Sequence, residues 1–242
     1  MFKPMAAKAK NTPSVYPSPL ACVHIQTLHG EMLVKLPRNE LFRIENIFHR
    51  HEYDIPRRFL PSGPLVAVDI GANVGLFALY LRSIRPESTI HCFEPAPNTV
   101  ELLKSNIGPL TGIHIHPFGL GAKSANVQMT LHPENTGENS IKRMPTHPSQ
   151  CVDVRVVDAM EAFTAIGLDY IDIMKIDTEG CEVEILRGLQ SRLKYFGVIL
   201  LEYHSDQDRR AVDLLLTGFK VFGAKAATTD IGTIKYINQA LL

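Results

Sequence analysis

The segment Val66–Gly75, VAVDIGANVG, constrains this chain more than any other stretch. LVAVDI is a near-continuous apolar run, the pattern of a parallel strand buried on both faces. Beyond it, Leu76, Phe77, Leu79, Tyr80, Leu81 and Ile84 have the spacing of a helix with a broad apolar face. Gly71 and Gly75 flank the turn between the two. Glycine there lets backbone approach a ligand, and the helix start offers unpaired N–H groups. A dinucleotide turn, G-x-G-x-x-G, needs its second glycine to admit a pyrophosphate. Here Ala72, Asn73 and Val74 separate Gly71 from Gly75 instead. Asp69, two residues before Gly71, would repel a pyrophosphate and suits the ammonium of an amino-acid group.

The rest of the chain repeats the alternation. TIHCFEP is the second strand, and Glu94 at its end is placed to accept hydrogen bonds from both hydroxyls of a ribose. Pro95 beside it reads as shape. With the first turn, Glu94 outlines an adenosyl pocket at the carboxyl edge of the sheet. A helix over 98–106 and a third strand, GIHIHPFG, follow. VQMTLH (126–131) and CVDVRVV (151–157) then look like an inserted antiparallel pair, joined by a polar loop. Helices are predicted over 159–166, 183–193 and 208–217, with strands YIDIMKID and VILLEYH between them. FKVFGAKA and GTIKYINQ close the chain as an antiparallel hairpin. One open, mostly parallel α/β sheet with helices on both faces is the expectation. Ahead of it, 1–19 reads as a flexible arm and 20–64 as a β-hairpin with a helical lead-in. Residues 65–242 form the main domain.

Four blocks, D-I-G-A-N-V-G, F-E-P-A-P, K-I-D-T-E-G-C-E and L-E-Y-H, run in that order through residues 65–204. Together they resemble the FkbM family of S-adenosylmethionine-dependent methyltransferases. The resemblance implies a doubly wound, Rossmann-like sheet of seven strands with a reversed last hairpin. It also implies methyl transfer, usually to a hydroxyl oxygen, with S-adenosylhomocysteine as product. By this likeness Asp69, Gly71, Asn73 and Gly75, with Ala72 in the same turn, line the methionine side. Glu94 holds the ribose, and Asp177 lies beside the reactive methyl group. Residues 1–64 and the 132–150 loop fall outside the likeness, and substrate choice is expected there.

The fourth and fifth strands carry further chemistry. Alternation puts Ile173, Lys175 and Asp177 on one face of YIDIMKID. A lysine inside a buried strand must find an anion, Glu202 or an acid at a neighbouring strand end, and Lys175 reads as a structural ion-pair partner. Asp177 and Glu179 lie where the strand runs out at the cofactor edge. Asp177 is expected to hold the cofactor's amino group or orient the acceptor hydroxyl, with capping of the turn as the plainer alternative. Glu202 and His204 share a face, and His204 is the candidate base, titrating near neutrality. The alternative is a histidine merely exposed at a strand end. Asp177, Glu179, Glu202 and His204 could also supply ligands for Mg²⁺ or Mn²⁺. No tight motif fixes such a site, so a metal is not favoured. Tyr53, in IFHRHEYDIP, is placed to cover the adenosyl or methionyl group. The 135–140 loop, NTGENS, is expected to close over substrate.

The favoured reading is an O-methyltransferase acting on a small metabolite such as a sugar or polyketide. Transfer to nitrogen, an NAD-dependent oxidoreductase and a non-catalytic binding module are the alternatives. The glycine spacing and Asp69 weigh against NAD. Lys plus Arg and Asp plus Glu each total 25, so the basic surplus typical of nucleic-acid binders is missing. No apolar run approaches the roughly 20 residues of a membrane helix. The N-terminus has no apolar stretch behind its lysines, and a cytoplasmic location is the default. Cys22, Cys92, Cys151 and Cys181 are scattered, with neither disulfide nor zinc spacing. The edge of the N-terminal hairpin could pair with a second copy, giving a homo-oligomer.

Overall fold

The alternation that begins at Leu65 closes into one seven-stranded sheet. The computed structural model describes residues 19–27, 29–132, 135–142 and 150–242. The N-terminal arm, apart from residue 19, lies outside the described residues. β1 (Leu20–Thr27) and β2 (Gly30–Pro37) form the N-terminal hairpin. A short helix, α1 (Phe42–Ile44), runs on into a π-turn at Glu45–His49. The main domain then follows with β3 (Val66–Ile70), α2 (Leu76–Ile84), β4 (Thr89–Phe93), α3 (Pro97–Ile107) and β5 (Ile113–His116). Next come β6 (Gly119–Gly121), β7 (Ala125–Leu131), β8 (Gln150–Asp158), α4 (Ala159–Ala165), β9 (Ile171–Ile176) and α5 (Glu182–Gly188). β10 (Phe196–Tyr203), α6 (Asp206–Leu215), β11 (Phe219–Ala226) and β12 (Gly232–Asn238) complete it.

The large sheet has the order β11-β12-β10-β9-β3-β4-β5. Its strands are parallel except β12, which is antiparallel to both β10 and β11. The expected doubly wound sheet with a reversed last hairpin is therefore present. β3 and β9 are neighbours in the middle, so their carboxyl ends meet at the point where the strand order reverses, the usual ligand crevice of such sheets.

Alternation along the central strands builds two cores. Val68, Met174, Ile176 and Leu201 face α4, α5 and α6, while Ala67, Ile173, Val198 and Leu200 face α2, α3 and the N-terminal hairpin. The hairpin contributes Ile25, Val34 and Leu36 to the second core, each worth about 1.5–3 kcal/mol when buried. Asn106 on α3 secures it: its side chain accepts from Lys35 N at 2.9 Å and donates to Lys35 O at 2.9 Å and Val74 O at 2.8 Å. Asn106 thus ties the hairpin to the glycine turn. α4 and α6 start at side-chain caps, Asp158 accepting from Glu161 N and Ser205 from Asp208 N.

Three expectations from sequence need correction. GIHIHPFG is two strands, β5 and β6, because Pro117 has no N–H to continue the ladder. β6 leaves the large sheet and pairs in parallel with β8, so the inserted antiparallel pair β7–β8 is part of a three-stranded sheet. The helix predicted over 183–193 stops at Gly188, the poorest helix former of that segment. Among the described residues no helix is long and apolar enough to cross a membrane.

Candidate active site

At the carboxyl ends of β3, β4 and β9 the chain leaves a cleft. Its floor comes from Gly71, Asn73, Glu94 and Asp177 to Glu179. Leu120, Met129 and Val156, from the small sheet, line an apolar side. Thr136, Gly137, Asn139 and Ile141 of the segment after β7, with Arg43, complete the lining.

The glycine turn is built for close approach of backbone. Gly71 has φ +76°, and a Cβ there would overlap the Asp177 carbonyl. The ends of β3 and β9 can thus close together, with Asp177 N donating to Ile70 O at 3.0 Å. Gly75 serves packing: it has φ +88° and faces Leu103 and Ile107 on α3. Gly71 lines the cleft, whereas Gly75 and Ala72 do not. Asn73 stands in the left-handed region at φ +48°, its N–H donating to Glu94 Oε2 at 2.9 Å. Glu94 Oε1 accepts from Ala96 N at 2.9 Å. Burial outweighs these two bonds and pushes the Glu94 pKa up to about 7. Each carboxylate oxygen takes one backbone donor, which leaves acceptor capacity for a hydroxyl pair. Pro95 lines the cleft beside it.

Asp69 occupies a different place from the one its sequence position suggests. It is fully buried under the cleft floor, outside the lining, and Lys175 Nζ donates to it at 3.1 Å and to Gly71 O at 2.9 Å. The partners of Lys175 are therefore Asp69 and, at 3.7 Å, Asp177, rather than Glu202. Burial lowers the lysine pKa, but these two carboxylates outweigh it and keep it above the ordinary value. Asp69 therefore faces Lys175 beneath the floor and does not itself line the cleft. Tyr53 lies on the α2 side of the sheet, packed edge-on against Phe77 with centroids 5.1 Å apart. It lines a small space beside Asp177 and Glu202 and the wall of a second cleft, outside the first cleft.

The turn after β9 gathers the remaining candidates. Glu179 is held at φ +57°, and Glu182 Oε1 accepts from Thr178 N, Thr178 Oγ1 and Gly180 N at 2.9–3.1 Å. His204, at the end of β10, has its Nε2 3.3 Å from Glu179 and its Nδ1 3.4 Å from Glu182. Burial alone would lower its pKa, but those two glutamates push it up to about 10. Both glutamates favour the imidazolium form, which weighs against His204 as a proton acceptor near neutral pH. The sequence shows a histidine at a strand end but not the two acids that surround it. The Glu202 carboxylate lies 3.8 Å from His204 Nε2. Burial and Asp177 push its pKa up to about 8. Asp177, Glu179 and His204 bring possible metal-ligand atoms within 4.8 Å of one another.

A second, wider cleft adjoins the first and shares Arg43 and Glu179 with it. Glu202 and His204 lie at its base; α1, Tyr53, Asn135, Glu138 and the β11–β12 hairpin form its walls. Between the two clefts runs a latch that no sequence motif marks. Glu40, fully buried, accepts from Thr136 N at 2.7 Å and Thr136 Oγ1 at 2.6 Å. Thr136 Oγ1 also lies 3.0 Å from Asn73 Oδ1. Arg43 is 3.3 Å from Glu40, donates to Asn135 Oδ1 at 3.3 Å and packs so closely on Gly137 that a Cβ would overlap the guanidinium. The 135–140 segment therefore lies over the cofactor-side cleft.

Residues 69–225 match the family described as methyltransferase FkbM domain. "Methyltransferase 1" of Beauveria bassiana is 29% identical over 196 residues, covering 73% of this chain and 72% of that protein. "2-O-methyltransferase NoeI" of Sinorhizobium fredii is 28% identical over 159 residues, covering 59% of this chain and 64% of that protein. The solved Methanococcus jannaschii fibrillarin pre-rRNA processing protein superposes with a TM-score of 0.51 at 10% identity, covering 95% of this chain and 87% of that one. That last likeness concerns the fold alone.

Proposed function

The chain belongs to the FkbM methyltransferase family, and from that premise we propose that it moves a methyl group from S-adenosylmethionine to a hydroxyl oxygen of a small metabolite. The observation that carries the cofactor assignment is Glu94, a buried carboxylate at the end of β4 with one backbone donor on each oxygen. It would take the ribose hydroxyls, while Leu120, Met129 and Val156 offer apolar contact to a base. Gly71, Asn73 and Thr178 lie where the amino-acid end would fall. The cofactor would supply an activated methyl group, so the chain needs to bind, align and deprotonate.

Those tasks divide among residues of the two clefts. Asp177, steadied by Lys175, lines the first cleft and would orient the acceptor hydroxyl. Glu202 replaces His204 as the proton acceptor, since it opens on the acceptor side and lacks a close partner. His204 positions Glu179 and Glu182. Alignment of this kind is worth about 7–11 kcal/mol of a barrier, and a placed base adds roughly 10²–10⁴-fold. The likeness to a 2-O-methyltransferase of Sinorhizobium fredii supports oxygen as the acceptor atom. A nitrogen acceptor would need little from Glu202.

Calorimetric titration tests the reading. The protein should bind S-adenosylhomocysteine saturably and NAD not at all, and Glu94→Gln should weaken the former at least tenfold. Absence of S-adenosylhomocysteine binding would remove the methyltransferase proposal.

A further inference from the structure

The base of the acceptor cleft is rich in hydrogen-bond acceptors. Glu179 and Glu202 line it, and Asp177 lines the small space beside it. The cations around these acids are engaged by protein groups. Lys175 bonds to Asp69 and Gly71 O, Arg43 contacts Glu40 and Asn135, and His204 lies between Glu179 and Glu182.

Tyr53 differs from them. It lines both the acceptor cleft and the small space that holds Lys175, Asp177 and Glu202. Its ring is fixed edge-on against Phe77, and the backbone around it is pinned. Glu52 N donates to Asn46 O at 3.1 Å, Asp54 N to His51 O at 2.9 Å and Lys235 Nζ to Asp54 O at 3.0 Å. Among the described residues the Tyr53 hydroxyl makes no hydrogen bond. Burial pushes its pKa well above the ordinary value; Lys175 opposes the shift, and Asp177, Glu52 and Asp69 reinforce it. The phenol therefore keeps its proton and remains a donor. A phenylalanine would pack on Phe77 as well, so packing does not account for the hydroxyl.

We infer that Tyr53 donates a hydrogen bond to the reacting oxygen of the acceptor and thereby selects hydroxyl over amine acceptors. The inference rests on the methyltransferase reading and assigns its choice of acceptor atom to one residue. A hydroxyl oxygen carries one proton and two lone pairs. In the transfer one lone pair forms the bond to the methyl carbon while the carbon–sulfur pair departs with sulfur, and the proton passes to Glu202. The second lone pair accepts from Tyr53. A neutral amine nitrogen has a single lone pair, which the methyl group takes. Tyr53 would then be left with an unmet donor away from water, a cost that oxygen avoids.

The test uses the full chain saturated with sinefungin, a cofactor analogue whose ammonium stands where the sulfonium methyl would and claims one lone pair of an acceptor. Phenol, methyl glucoside and aniline, the uncharged amine counterpart of phenol, are titrated at neutral pH. The readouts are Kd and the Cζ NMR resonance of Tyr53 in isotope-labelled protein, assigned as the signal lost in Tyr53→Phe. That resonance should move saturably with a hydroxyl probe. Phenol should bind about threefold to tenfold tighter than aniline, the worth of one hydrogen bond. Tyr53→Phe should abolish the preference and leave sinefungin affinity unchanged. A Tyr53 resonance that neither hydroxyl probe moves, equal binding of phenol and aniline, or a preference that survives Tyr53→Phe would overturn the inference. Loss of sinefungin affinity in the variant would return Tyr53 to the cofactor side and overturn it too. Failure of the wild type to bind sinefungin and S-adenosylhomocysteine would instead strike the reading beneath it.

Discussion

His204 shows how far a residue's meaning depends on its neighbours. Its sequence position suggested a base near neutrality, whereas Glu179 and Glu182 make it a cation with a pKa of about 10. A folded pKa above the ordinary 6.5 means that protonation stabilises the fold. That stabilisation is full below about pH 6.5 and disappears as pH rises through about 10. Thermal melts of the wild type should fall across this window, and those of His204→Gln should start lower and fall less. Parallel curves would contradict the assignment. At neutral pH the substitution leaves two buried acids without their cation, a loss of about 3–5 kcal/mol. Glu202 predicts the opposite kind of signature. Only its carboxylate can take a proton, so kcat should rise with pH through about 8, and Glu202→Gln should flatten the profile and lower kcat about 10²–10⁴-fold. If His204→Gln flattens it instead, Glu202 is not the base. Gly71, Asn73 and Glu94 were legible because glycine spacing and an acid at a strand end are local signals. The burial of Asp69 under Lys175 was not, because it depends on the register Asp69↔Lys175 across two strands far apart in sequence.

Among the elements, the strands and most helices followed from periodicity alone, since burial on one or both faces writes itself into the spacing of apolar residues. Two boundaries slipped where a single residue, Pro117 or Gly188, outweighed the pattern. The segment after β7 is the least legible and the most consequential. Its polar sequence says loop, yet Glu40 and Arg43 from the N-terminal region fasten it over the cofactor-side cleft. On the proposed reading, cofactor exchange passes this segment and is expected to break the Glu40–Thr136 contact. Thr136→Val should leave the buried carboxylate short of a donor, at about 1–3 kcal/mol. It should also speed S-adenosylhomocysteine release, measured by stopped-flow displacement. An unchanged release rate would mean that the cofactor leaves by another route.

For the molecule as a whole, the N-terminal hairpin is the piece whose role sequence left open. It belongs to the second core and to the glycine turn through Asn106, so removing residues 1–37 should lower Tm by several degrees and weaken S-adenosylhomocysteine binding. A truncated chain melting at the full-length temperature would show the hairpin to be a detachable addition. By itself the sequence determined the doubly wound sheet, the order of its motifs and the edge at which ligands gather. Those follow from residue periodicity and from glycine and carboxylate placed at strand ends, all of which act within a few residues. Only the tertiary structure decided which acids are already neutralised, which histidine is charged, and which distant segments roof the clefts. Electrostatics in a buried site is a property of distances between groups that the chain order does not contain, and a protonation state follows from those distances.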